Sequence, residues 1–208
     1  MFRQAFLASI VTLTSDAAID DKLWNDIVGR YSEAGRHYHN LDHLDALIRE
    51  LSAVENYIKD WDLLVLAVAY HDVIYDPLRQ DNEQASADFV MEQLGGIISR
   101  DRRRHCVDII LATQSHEPGN DADAALFSDA DLAILGAEPV AYRRYTLQIR
   151  KEYDHYPDIF YKPGRIKVLR HFLNMPRIFK TEVFYDKYEL RARLNLEEEV
   201  KWLSETDD

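Results

Sequence analysis

The 208-residue chain reads as an all-α protein, and three observations say so. Apolar residues recur three and four apart in one segment after another. Leu63 to Ala69 is apolar all round, the mark of a central helix surrounded by others. Nowhere do four or more residues alternate strictly with β-branched character between turns. No repeat, low-complexity run or linker breaks the pattern, so the expectation is a single domain over residues 1–208, a bundle of eight or nine helices. A chain this long buries roughly 70% of its unfolded surface and needs no disulfide or metal to fold.

Phe2, Phe6, Ile10 and Leu13 make the inner stripe of a first helix, closed by the capping chemistry of Thr14-Ser15-Asp16. Asp20 and Asp21 precede a second stripe through Leu23, Trp24, Ile27, Val28 and Tyr31, with Gly35 expected as its left-handed stop. Arg36 to Asn40 then connects two helices. Asn40 is the expected N-cap of the third, whose apolar face runs through Leu41, Leu44, Leu47, Ile48 and Leu51, with His43 on its edge. Asp60 opens the apolar fourth helix. His71-Asp72 comes at its far end, so that imidazole emerges among buried positions, and Tyr75-Asp76-Pro77 is the exit turn.

A fifth helix begins at Asp81 and stops at Gly95-Gly96, and a sixth runs from about Ser99 to Ser115. His116-Glu117-Pro118-Gly119-Asn120 is a loop. A short helix from about Asp123 ends at Gly136. Tyr142 to Tyr153, Arg165 to Leu173 and Val183 to Trp202 complete the set, separated by Pro157, Pro163-Gly164 and Pro176.

Composition excludes several classes. The net charge of −12 repels a phosphate backbone, which argues against nucleic-acid polymer or anionic membrane as partner. The charge is uneven: Arg143 to Lys180 holds ten Lys or Arg against three acids, a local +7 that leaves −19 for the remainder. That basic stretch fits either a small anionic ligand or solvated helix faces. The longest apolar run, Leu63 to Tyr70, is too short to span a bilayer. Arg3 followed by Ala5 to Leu13 imitates a signal peptide, but Ser9 and Thr12 interrupt it, and an amphipathic helix is the better reading. The single cysteine, Cys106, excludes an internal disulfide and a Cys-based zinc cluster, which suits a reducing, cytoplasmic setting.

Any internal metal site must therefore come from His and carboxylate. His39 and His43 stand four apart, and His71-Asp72 follows at the end of the apolar run. A later Asp completes the set. Asp129 and Asp131 lie about 200° apart on a helix and cannot both face one ion. Asp131 shares its face with Phe127 and Leu135, where an ionised carboxylate is costly unless a cation balances it. Asp129, between Ala125 and Ala133, is better explained by outer support of the site or by helix-start polarity. Such a mixture of nitrogens and hard oxygens suits one divalent ion: Mn, Mg, Fe, Co, Ni or Zn.

Tyr38-His39-Asn40 with His43 three residues on, then His71-Asp72, then Ala130-Asp131-Leu132, resembles the signature of the HD-domain metal-dependent phosphohydrolases. The Tyr-His-Asn-x-x-His spelling is also similar to that of cyclic-nucleotide phosphodiesterases. More narrowly, His37 to His43, His71 to Asp76, Asp81-Asn82-Glu83-Gln84-Ala85-Ser86-Ala87, Asp129 to Leu132 and Ile149-Arg150-Lys151-Glu152-Tyr153 resemble a bacterial group of predicted HD-superfamily hydrolases, over Arg36 to about Asn195.

The resemblance implies an HD-type helical fold in which His43, His71, Asp72 and Asp131 hold the metal. His39 would be the general acid, and Asp72 or Glu83 would orient the attacking water. Asn82-Glu83 stands where some members carry His-Glu, which favours a single ion. Arg36, Arg150 and Arg165 are candidates to grip phosphate, because a guanidinium forks onto two oxygens; His116 is a fourth. The expected activity is hydrolysis of a phosphomonoester or phosphodiester of a small, nucleotide-like molecule. The alternatives are a catalytically silent nucleotide-binding domain and a diiron oxygenase, the latter needing more histidine ligands than the motifs place.

Overall fold

The computed structural model describes residues 1–14 and 16–205. Its ten α-helices, against eight or nine expected, are α1 Phe2–Leu13, α2 Ala17–Tyr31, α3 Leu41–Ser52, α4 Trp61–Tyr70, α5 Asn82–Gln93, α6 Arg100–Ser115, α7 Ala122–Leu132, α8 Pro139–Glu152, α9 Asp158–Asn174 and α10 Glu182–Glu205. Short 3₁₀ turns lie at Glu55–Tyr57 and Ala133–Gly136. Among the described residues there is no strand, only an isolated bridge between Gly95 and Ile98. The all-α class is therefore as expected. None of the described helices is long and apolar enough to cross a membrane.

The chain forms two compact units, Met1–Ala130 and Asp131–Asp208, with the boundary inside the continuous helix α7. In the first, α4 is the central element: Leu63 through Tyr70 are all at most 1% exposed. It packs against α1, α3, α5 and α6. Its start is fastened twice. Asp60 caps it by accepting from the Leu63 N–H at 3.0 Å, and the buried Asp123 carboxylate accepts from the Lys59 and Asp60 N–H groups. Arg102 pairs with Asp60 at 2.7 Å. Fixing the start of a rigid ten-residue helix fixes its far end, where His71 is the C-cap.

Helix α3 forms as the periodicity requires. Asn40 accepts from the Asp42 N–H at 2.9 Å, and His43, Leu44, Leu47, Ile48 and Leu51 are buried. Asp16 caps α2 through the Ala18 N–H; Ser15, part of the expected stop of α1, lies outside the described residues. Gly35 does not act as a left-handed stop. Helix α2 ends earlier, at Tyr31, with Ser32 at φ −103°, and the left-handed glycines are Gly96 and Gly119.

In the second unit, α10 packs along α9 and the 3₁₀ turn Ala133–Gly136. Gly136 is there because nothing larger fits: a Cβ would come within 2.6 Å of Tyr188 Cβ. The Asn195 carboxamide then donates to the Leu135 and Ala137 carbonyls, tying that turn to α10. Pro163-Gly164 lies inside α9 rather than separating helices. Tyr161, Arg165 and Leu169, spaced four apart on both sides of the pair, all face inward, and that shared burial outweighs the missing N–H bond.

Cys106 sits fully buried in α6, and burial pushes its thiol up to about 12. A thiol held neutral in the folded state contributes its stability in full below the ordinary thiol range. That contribution is lost as pH rises toward the folded value. Alkylation by iodoacetamide should accordingly be slow in native protein at pH 8–9, and fast once denaturant unfolds it; rapid native labelling would contradict the placement.

Candidate metal centre

Three elements bring the site together. His43 lies in the first turn of α3, His71 caps the C-terminus of α4, and Asp131 stands on the last turn of α7. One ligand atom from each of the three lies within 4.8 Å of the other two. His43 and His71 are 4% and 1% exposed. Phe127, one turn before Asp131, sets its edge against the His71 ring at 5.4 Å, which seats α7 beside that imidazole.

The hydrogen bonds of His71 settle its tautomer. Nδ1 is 2.9 Å from the Val68 carbonyl, and a carbonyl oxygen only accepts, so Nδ1 carries hydrogen. In the neutral ring Nε2 then presents a lone pair. That atom lies 3.2 Å from His43 Nε2 and 3.0 Å from Asp72 Oδ2. A lone pair facing a carboxylate oxygen in a buried site is repulsive unless a proton or a cation lies between them. Two imidazoles plus carboxylate oxygen is also a donor set that divalent first-row ions accept, so the residues fit a metal.

Asp72 is the fourth expected ligand. Its carboxylate touches His71 but falls outside the mutually close triad. Burial tends to raise its pKa; where the histidines are protonated, the charge and hydrogen bond of His71, with the charges of His39 and His43, hold the carboxyl well below the usual carboxylate range. His39 Nε2 is 4.0 Å from Asp72 Oδ2, and its ring lies against Tyr75 at 4.3 Å with Tyr38 edge-on. The expected acid thus stands beside the expected water-orienting carboxylate.

Glu83 is half-buried in the first turn of α5. Its neighbour Asn82 has a different task, bridging the Asp76 N–H and carbonyl across the exit turn at 3.0 Å each. His116 is the C-cap of α6 in the left-handed region, φ 53°, with Nδ1 3.1 Å from the buried Ser128 hydroxyl of α7. That is one helical turn from Asp131. Asp129 is fully buried in the eighth position of a helix that starts at Ala122, so it is not helix-start polarity.

The arginines expected to grip phosphate are engaged within the protein. Arg150 donates to Asp158 and to the Tyr153 and Tyr156 carbonyls. Arg165 forks onto Glu199, which also accepts from the Tyr142 hydroxyl. Arg36 is buried and donates to the carbonyls of His39, Asp72 and Val73 and to Glu33. It also lies over the Tyr31 ring at 4.9 Å, and the Tyr31 hydroxyl accepts from the Asp72 N–H at 3.2 Å. Arg36 and Tyr31 therefore grip the Asp72 peptide from both sides. Sequence reading found Arg36 but not this role, since main-chain acceptors leave no trace in residue identity.

No protein-family model, curated protein or solved structure matches the chain.

Two outcomes follow from the geometry. Mn²⁺ at about a hundred times its dissociation constant should stabilise the protein by about 2.7 kcal/mol, read as a chelator-reversible rise in melting temperature, and Asp131→Ala should lose that rise. Arg36→Met, which strands three carbonyls, should cost roughly 2–4 kcal/mol in denaturant unfolding even without metal; an unchanged midpoint would contradict the clamp.

Proposed function

We propose that the chain is a metal-dependent phosphohydrolase of the HD type, acting on a phosphomonoester or phosphodiester of a small molecule. One observation carries the reading: the His71 Nε2 lone pair is aimed at His43 and Asp72, with the Asp131 carboxylate close by. This is an arrangement that a bound cation makes favourable. His43, His71 and Asp131 would hold the ion, with Asp72 beside them. A divalent ion so held supplies Lewis-acid polarisation of a phosphoryl oxygen and makes water more acidic.

The protein's own groups divide the rest. Asp72, its carboxylate 3.0 Å from His71 Nε2, accepts a hydrogen bond from the attacking water. Glu83 assists from the first turn of α5. His39 holds a proton on Nε2, 4.0 Å from that carboxylate, and gives it to the departing oxygen. Imidazole suits the task because its titration range spans neutral pH. His116, whose Nδ1 lies 3.1 Å from the Ser128 hydroxyl one turn from Asp131, is the candidate to meet substrate phosphate.

Purified protein supplied with Mn²⁺, Mg²⁺ or Ni²⁺ should cleave members of a panel of phosphomonoesters and phosphodiesters. His39→Ala should lower kcat by roughly 10²–10⁴-fold with metal binding unchanged. If wild type cleaves no ester while a nucleotide raises its melting temperature, the enzyme reading gives way to a binding module.

A further inference from the structure

The second unit carries an apolar surface that the proposed chemistry does not use. Helices α8 and α10 run in the same direction there: Glu138 at the start of α8 pairs with Arg191, and further along both helices Tyr142 meets Glu199. Between them lies a groove of about 190 Å³ whose lining includes Arg143 and Leu147 from α8 and Glu198 and Trp202 from α10. Its outer lip is strongly apolar. Val140 is 85% exposed, Leu147 and Leu194 56% each, and Trp202 51%. A cluster of this kind is unusual on a solitary soluble domain and marks an interaction surface.

The occupant is indicated by the order of charges. Along α8 the outer stripe reads apolar, basic, apolar: Val140, Arg143, Leu147. Along α10 it reads apolar, acidic, apolar: Leu194, Glu198, Trp202. Among the described residues neither Arg143 nor Glu198 has an ion-pair partner within the chain. At about 1.5 Å of rise per residue, the stripes span roughly 10 and 12 Å, so they match in length as well as in pattern. A two-fold axis running parallel to the two helices sets α8 of one copy against α10 of the other, in the same direction. Val140 then meets Leu194, Arg143 meets Glu198 and Leu147 meets Trp202, and each contact occurs twice.

We propose that this face pairs two copies of the chain, with α8 and α10 of each lying against α10 and α8 of the other. The patch is small beside standard interfaces, so the dimer is a weak one, with a dissociation constant in roughly the micromolar range. Opposed charges at the centre of an apolar strip fix the register and disfavour the antiparallel alternative, in which α8 lies on α8 and Arg143 would face Arg143.

The test is sedimentation velocity of the full chain from about 1 to 300 µM, backed by circular dichroism. Wild type should pass from monomer to dimer across this range, and added salt should shift it toward monomer. Arg143→Glu and Glu198→Arg should each weaken pairing tenfold or more. The double charge swap should restore it, and Trp202→Asp should abolish it. These positions are exposed, so helicity should not change. Wild type that stays monomeric throughout, a dimer indifferent to both single swaps, or a double swap that fails to restore pairing would overturn the proposal. So would a monomer that uses this face only for an unrelated protein.

Discussion

The arrangement of the site depends on one buried cation of the protein itself, the guanidinium of Arg36. His39 and His43 arrive on the connection into α3, and His71 and Asp72 arrive at the end of α4, 28 residues after His43. No covalent link or sheet ladder joins these segments. Arg36 does so by donating to carbonyls on both, and Tyr31 completes the grip from the Asp72 N–H. Burying a charge is costly in isolation. Here the hydrogen bonds to three carbonyls, the Glu33 carboxylate and the faces of Tyr31 and Tyr75 offset that cost.

The second support is the rigidity of α4. Its end carries His71, and its beginning is held by Asp123 and Arg102. A helix buried on every side has no soft face along which to slide, so anchoring one end transmits to the other. Val68, one turn before His71, contributes through its carbonyl alone, orienting the imidazole so that Nε2 points to the remaining donors.

Much of this was legible in the sequence, for a physical reason. The periodic burial of Leu44, Leu47 and Ile48 and the continuous burial of Leu63 to Tyr70 follow directly from residue type, as do the Asn40 and Asp60 caps. Helical angle forced a choice between Asp129 and Asp131, and the cost of a carboxylate on an apolar face selected Asp131. That residue does lie with His43 and His71, although Asp129 is the fully buried one of the two. What residue type did not reveal was the partner of each arginine. Arg36, Arg150 and Arg165 look alike in sequence, whereas their acceptors are main-chain carbonyls or carboxylates that only folding brings near. Gly35 and Pro163 misled for a related reason. Their conformational preferences are local, and neighbouring burial decided where α2 ended and α9 continued.

The Arg36 clamp also bears on how freely this part of the molecule can vary. Because it holds the carbonyls of Asp72 and Val73 and the Asp72 N–H is held by a hydroxyl, the course of the backbone after α4 is set mainly through main-chain atoms. Ile74 and Tyr75 come next, and the Tyr75 ring already lies against His39. An aromatic replacement at Tyr75, which keeps a ring against Arg36 and His39, would alter the wall beside the histidines while the main-chain grip holds. A scaffold with that separation can take on new ligand preferences one residue at a time.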